Sequence, residues 1–236
     1  MDATPLAQFD GNLIDGLEFC SMVYAVYESI RNTADGPSRM RRRSTHVEKR
    51  LLDELLPICK YIQESYRPGR YLSVRWTDGN QQCDAELFQR GEYVNQDYYP
   101  AKAFLEVTCT MHKNEHLSRE LLDTTGGAFG LEGIRRLKDR SIESVPVSYK
   151  NREFIDSYAN LLRGRIAAKA KVPCPANTIL VVQCTLNMPY MPDEWAELVA
   201  LVQPCIAASP FREIYLYDTI GQYSVSLHPQ SDRGHR

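Results

Sequence analysis

Neither sign of charge dominates this sequence: 28 Lys and Arg stand against 30 Asp and Glu, for a formal net charge of −2. That balance argues against a uniformly basic nucleic-acid binder and leaves only local basic patches open. No apolar run approaches membrane-spanning length, so no membrane partner is expected. The opening residues MDATPLAQFDGN lack a basic region followed by an apolar one, and no secretory signal is expected from them. None of the seven cysteines (20, 59, 83, 109, 174, 184 and 205) belongs to a C-x-x-C pair. Odd in number and scattered through apolar segments, they fit reduced buried thiols of a cytoplasmic protein and not a disulfide framework or a zinc ribbon. There is no G-x-S-x-G elbow and no P-loop, and Gly126-Gly127-Ala128-Phe129-Gly130 lacks G-x-G-x-x-G spacing. Internal repeats and low-complexity blocks are absent as well.

What is present is a run of elements. Leu13, Leu17, Cys20, Tyr24, Tyr27 and Ile30 keep helical spacing over 11–33. Residues 34–44 read as a mobile loop carrying Arg39, Arg41, Arg42 and Arg43, a run whose ordinary role is a solvated basic flank and whose sharper role is phosphate contact. Ser44-Thr45 cap a helix over roughly 46–66, which Pro57 should kink or split. Strands follow at 71–77, 82–89 and 102–110, the first two joined at Asp78-Gly79-Asn80. A helix from about Asn114 to Leu122 precedes an irregular stretch, 123–147, which is either a functional loop or conceals a short hairpin. After a helix over 148–171, a buried strand over 178–185, a helix over 192–202 and a strand over 213–218 form a β-α-β unit, whose strands should be parallel. A last strand is expected at 222–227. In domain terms, 1–44 is an N-terminal helix and basic loop, 45–229 a single α/β domain and 230–236 a frayed tail.

Glu106 sits mid-strand among apolar residues, where a carboxylate needs a partner. Asp84 lies on the preceding strand, and Glu48 and Glu54 on the helix before both. In this order the helix, the three strands, the next helix and strand 178–185 resemble the αβββαβ core of the PD-(D/E)XK, or restriction-endonuclease-like, superfamily. The resemblance implies an α/β fold in which a mixed central sheet is flanked by helices, here with an N-terminal helical extension. It also implies a Mg²⁺ or Mn²⁺ cofactor held by Asp84 and Glu106, an accessory acid in Glu54 or Glu48, and hydrolysis or binding of DNA or RNA. Carboxylate oxygens suit Mg²⁺, which lowers the pKa of an attacking water and offsets phosphoryl charge. The sequence departs from the pattern at Thr108, where the resemblance requires a lysine, and Lys102 or Lys113 is the expected substitute. His116 and Arg119 are candidates for the phosphate side, and Arg41, Arg42, Arg43, Arg135 and Arg136 for further nucleic-acid contacts. If no cation substitutes, the site is degenerate and binds without cutting.

Two other readings stand beside this one. Without any chemistry, the same sheet serves protein contact or homo-oligomerisation, with Tyr93, Tyr98 and Tyr99 suited to an interface. His112-Lys113-Asn114-Glu115-His116 also spells H-x-x-E-H, an inverted zinc-peptidase motif, but that motif needs one continuous helix and Asn114 is placed to cap one. Within the helix, Glu115–Arg119 and His116–Glu120 are spaced for ordinary i,i+4 pairs.

Overall fold

The chain is organised around a mixed seven-stranded sheet, seen in a computed structural model that describes residues 5–79, 81–150 and 152–229. Asn80 of the expected hairpin turn and the tail at 230–236 lie outside the described residues. The elements run β1 (Leu13–Asp15), α1 (Gly16–Arg31), α2 (Gly36–Arg42), α3 (His46–Arg50), a π-helical turn (Leu51–Leu55) and α4 (Leu56–Ser65). Next come β2 (Tyr71–Trp76), β3 (Ala85–Arg90), α5 (Glu92–Asn95), β4 (Lys102–Thr110), α6 (Glu115–Thr125), β5 (Ile134–Arg136) and β6 (Ile142–Ser144). The rest is α7 (Glu153–Ala170), β7 (Thr178–Cys184), α8 (Pro192–Ala207), β8 (Glu213–Asp218) and β9 (Ser224–Leu227).

The order across the sheet is β1-β2-β3-β4-β7-β8-β9. Strands β1 to β4 form an antiparallel meander, β4, β7 and β8 are parallel, and β9 returns antiparallel. The parallel pair expected of the β-α-β unit is therefore present, extended by β4. Continuous apolar runs in β7 and β8 follow from their being covered on both faces. Ile179 and Val181 enter one core with α1 and α4, while Leu180 and Val182 enter a second with α7 and α8. The same alternation puts Ala103, Leu105 and Val107 of β4 in the first core. Phe104, Glu106 and Thr108 consequently face the α7 side.

Several local expectations change. The helix expected over 11–33 gives up its start to the edge strand β1. The expected loop at 34–44 is helical. Gly36 opens α2 where a Cβ would lie 2.2 Å from the Ile30 carbonyl oxygen, so only glycine permits α2 to fold back on α1. Asp123 of α6 then accepts from Ser38 at 2.6 Å and pairs with Arg41 at 2.9 Å and Arg42 at 2.5 Å, clasping α2 to α6. Pro57 does not end its helix, but the regular ladder is interrupted beside it: a π-helical turn just before the proline, closed by Leu56 N–H donating to Leu51 C=O, widens the ladder where the ring would clash. The stretch 123–147 holds a hairpin, β5–β6. Helix α8 continues past the expected end at 202 to Ala207, through Pro204.

Candidate metal and phosphate site

Strand β3 begins at Ala85, paired with Leu105, so Asp84 stands one residue ahead of the strand on which it was expected. Its N–H still donates to the Leu105 carbonyl at 3.0 Å. Beyond that point β4 keeps β7 on one side but has no strand on the other, so Val107 N–H, which faces β3, has no backbone acceptor there. Asp84 Oδ2 accepts it at 2.6 Å. The carboxylate thus takes over one rung of the ladder and is fixed against the strand that carries Glu106.

Glu106 points to the α7 face, where the last turn of that helix brings Lys169. Lys169 Nζ donates to Glu106 Oε1, and both side chains are largely buried. Helix α7 runs antiparallel to β4 and β7 because it is part of the crossover between them, so its C-terminal end lies over the starts of both strands. Thr108, at the position where the resemblance asks for lysine, is buried and uncharged.

Burial, and then the Glu106 carboxylate, push the Asp84 carboxyl up to about 7; Glu54 adds to the rise, while the Val107 N–H bond and Lys169 oppose it. Burial pushes the Cys83 thiol up to about 11, with Asp84, Glu86 and Glu106 adding to it, so this cysteine is no nucleophile. A cavity of about 350 Å³ opens beside these groups, lined by Arg75, Cys83, Asp84, Glu86, Phe104 and Pro175 among others. Glu54 uses one oxygen to accept Trp76 Nε1–H at 3.0 Å and the other to pair with Arg50. Of the two accessory acids named from sequence, Glu54 is therefore the one whose charge reaches Asp84. Glu48 is fully buried elsewhere: it accepts from Thr45 N–H at 2.8 Å and from the Thr45 hydroxyl, and is paired with Arg39. Despite its burial, those bonds hold its carboxyl below the usual range.

The remaining candidates are not at this site. Lys102 sits on Glu86 at 2.6 Å and over the Phe88 and Phe104 rings, and it is Lys169 that pairs with Glu106. Lys113, His116 and Arg119 follow the far end of β4, with Thr110 already on the order of 13 Å along the strand from Glu106. His116 Nδ1 is bonded to the Lys113 carbonyl, and Arg119 pairs with Glu115 at 3.2 Å, the ordinary i,i+4 contact. Arg136 takes Glu120 at 2.5 Å, in place of the expected His116–Glu120 pair. The arginine candidates are also held internally: Arg41 and Arg42 by Asp123, Arg43 by Asp53, Arg135 by Glu143 at 2.5 Å.

In the H-x-x-E-H stretch, α6 starts at Glu115 and leaves His112 outside it. Asn114 makes no side-chain cap. Its amide donates instead to the carbonyls of Leu131 and Ile134, which ties the hairpin region to α6.

Among the described residues, no three His, Cys, Asp or Glu side chains gather as a self-sufficient metal cage. Two carboxylates do fit Mg²⁺ or Mn²⁺, which keep several waters and commonly take only one or two protein carboxylates beside a substrate phosphate. The electrostatics agree with that fit: burial first, and then the Glu106 and Glu54 carboxylates, push Asp84 towards its neutral form, and a divalent cation would offset the like-charge part. No protein-family model matches this chain, and neither the curated proteins nor the solved structures supply a match.

Proposed function

We propose that this site is a divalent-metal centre acting on the phosphodiester bonds of nucleic acid, carried on a restriction-endonuclease-like core. The observation that supports it most is the meeting of Asp84, Glu106 and Lys169, which join the two expected metal carboxylates to a cation that Thr108 cannot supply. Asp84 and Glu106 would hold Mg²⁺ or Mn²⁺, with Glu54 as the accessory acid. The metal, when bound, supplies Lewis-acid stabilisation of the phosphoryl oxygens and a more acidic water. Lys169 supplies positive charge beside the reacting phosphate and orients Glu106. Asp84, anchored by Val107 N–H, keeps its carboxylate from swinging away. Arg75 lines the cavity and Lys102 shares its Glu86 partner, and these two cations would serve the substrate backbone. Arg41, Arg42, Arg43, Arg135 and Arg136 stand past the other end of β4 and are at most distant strand contacts.

A second reading also has an observation of its own. The Glu106–Lys169 pair and the Asp84–Val107 bond satisfy each other without any ion, as a structural network in a non-enzymatic module would. Tyr98 at 62% and Tyr93 at 38% exposure would then offer an interface to a protein partner or to a second copy of the chain. Plasmid nicking with Mg²⁺ or Mn²⁺, followed in the wild type and in Asp84→Asn, Glu106→Gln and Lys169→Met, separates the two. The nuclease reading expects nicking that falls by roughly 100-fold or more in each variant, the scale for lost transition-state electrostatics. Nicking that survives all three substitutions sinks it. Absence of both nicking and calorimetric Mn²⁺ binding in the wild type leaves the interaction module.

A further inference from the structure

A second cavity lies away from this site, on the other face of the sheet, at the carboxyl ends of β7 and β8. Its volume is about 610 Å³, and Gln183, Thr185, Tyr217 and Thr219 form its floor. Carboxyl ends of parallel strands are where α/β sheets commonly receive ligands, and this volume is that of a small-molecule pocket. None of the lining residues belongs to the Asp84–Glu106 site.

Four cations, Arg41, Arg43, Lys60 and Arg119, line it against two carboxylates, Glu28 and Glu115. Glu28 is drawn to Arg31 at 3.2 Å. The carboxylates that pair with Arg41 and Arg43, Asp123 and Asp53, are not part of the lining. Each of these pairs engages one Nη1 group, and a guanidinium carries five N–H donors. Arg43 is 13% exposed, and as the left-handed C-cap of α2, its N–H donating to the Arg39 carbonyl, it is fixed in place beside the cavity. Thr185 Oγ1 is buried beside the Cys109 thiol and has no oxygen or nitrogen partner among the described residues. The wall opposite is aromatic and apolar, with Tyr24, Tyr27, Leu52 and Leu56. It supplies a surface for a flat ring, while the arginines supply bidentate phosphate recognition.

We infer that this cavity binds a small organic phosphate carrying a flat ring, the chemistry of a nucleoside monophosphate. The inference stands independently of the nuclease proposal. Isothermal calorimetry and thermal shift on the full chain with AMP, adenosine and inorganic phosphate test it. AMP should bind saturably and raise the Tm, with adenosine and phosphate each weaker by about tenfold or more, because each reaches only half of the site. Arg41→Gln should weaken AMP by about tenfold, the scale of one charge-assisted contact. Arg41 is 40% exposed, and Arg42 still holds Asp123 in that variant. Leu122→Trp, at a lining position 38% exposed, should fill the cavity and abolish binding without touching the core. Lack of saturable binding of AMP, GMP, CMP and UMP at millimolar concentration overturns the inference. So does AMP binding that both variants leave unchanged.

Discussion

Asp84→Asn should stabilise the protein at alkaline pH, although it removes a side chain that is hydrogen-bonded and central to the proposed site. The asparagine carbonyl oxygen can still accept Val107 N–H, so the replaced ladder rung is kept while the charge goes. In the wild type, burial and then the Glu106 carboxylate raise the Asp84 carboxyl from its ordinary 3.8 to about 7. An acid with a raised folded-state pKa binds more protons when folded than when unfolded. Stability therefore falls as pH climbs from about 4, where the unfolded chain ionises, through about 7, where the folded one does, and the penalty is complete above that. At about 1.4 kcal/mol per pH unit over this window, the full penalty is about 4 kcal/mol, an upper figure for one group in a coupled cluster. Urea denaturation at pH 5, 7 and 8.5 would read it as a midpoint difference at constant m-value. The wild type should lose stability across the series and the variant should lose much less, so that the variant is ahead by about 2–4 kcal/mol at pH 8.5. Adding Mn²⁺ at pH 8.5 should narrow the gap by stabilising only the wild type. A variant that is less stable than the wild type at pH 8.5, or that keeps the same slope, refutes the assignment of Asp84 as a carboxyl held against like charge.

Two further substitutions probe the frame around the sites. Glu48→Ala strips a fully buried carboxylate from Arg39 and from the Thr45 N–H at the start of α3, and should cost about 2–4 kcal/mol in chemical denaturation. Glu48→Gln, which keeps an acceptor, should recover part of that loss, and an unchanged midpoint for Glu48→Ala would contradict the geometry. Gly133→Ala places a Cβ 1.9 Å from the Val145 carbonyl oxygen, so the β5–β6 hairpin must shift. Hydrogen exchange should speed up over 134–144, with the global midpoint moving by less than about 1 kcal/mol because the hairpin lies outside the main sheet. Unaltered exchange in that stretch would show that the turn yields more easily than its contacts imply.

The sheet was readable because its signals are local and periodic. Alternation in β2, continuous apolar runs in β7 and β8, and a β-α-β spacing each carry one physical meaning. Helix α2 escaped because four arginines and a Gly-Pro pair have the composition of a loop; it is helical through tertiary contacts, with Asp123, more than 80 residues away in sequence, holding it. The hairpin at 134–144 stayed one of two alternatives because each strand is three residues long, below any periodicity.

The site divides the same way. Asp84 and Glu106 were picked out as a pair by the resemblance, which sets one acid on the second strand and one on the third, and the register of Ala85 opposite Leu105 puts those two positions side by side. Lys169 was not, being 63 residues beyond Glu106 and having the bland appearance of a cation at a helix C-terminus. The signal that would have found it was geometric: a right-handed crossover lays the end of α7 over the beginnings of β4 and β7, and among Arg163, Arg165, Lys169 and Lys171 the lysine nearest that end on the sheet-facing side is the one that reaches Glu106. Lys102 and Lys113 looked closer because distance was counted along the chain. A strand separates its own residues by 3.3 Å at each step, whereas a crossover returns a distant residue to the same edge, so a missing charge on a central strand is better sought on the helix that covers it than on the strand itself.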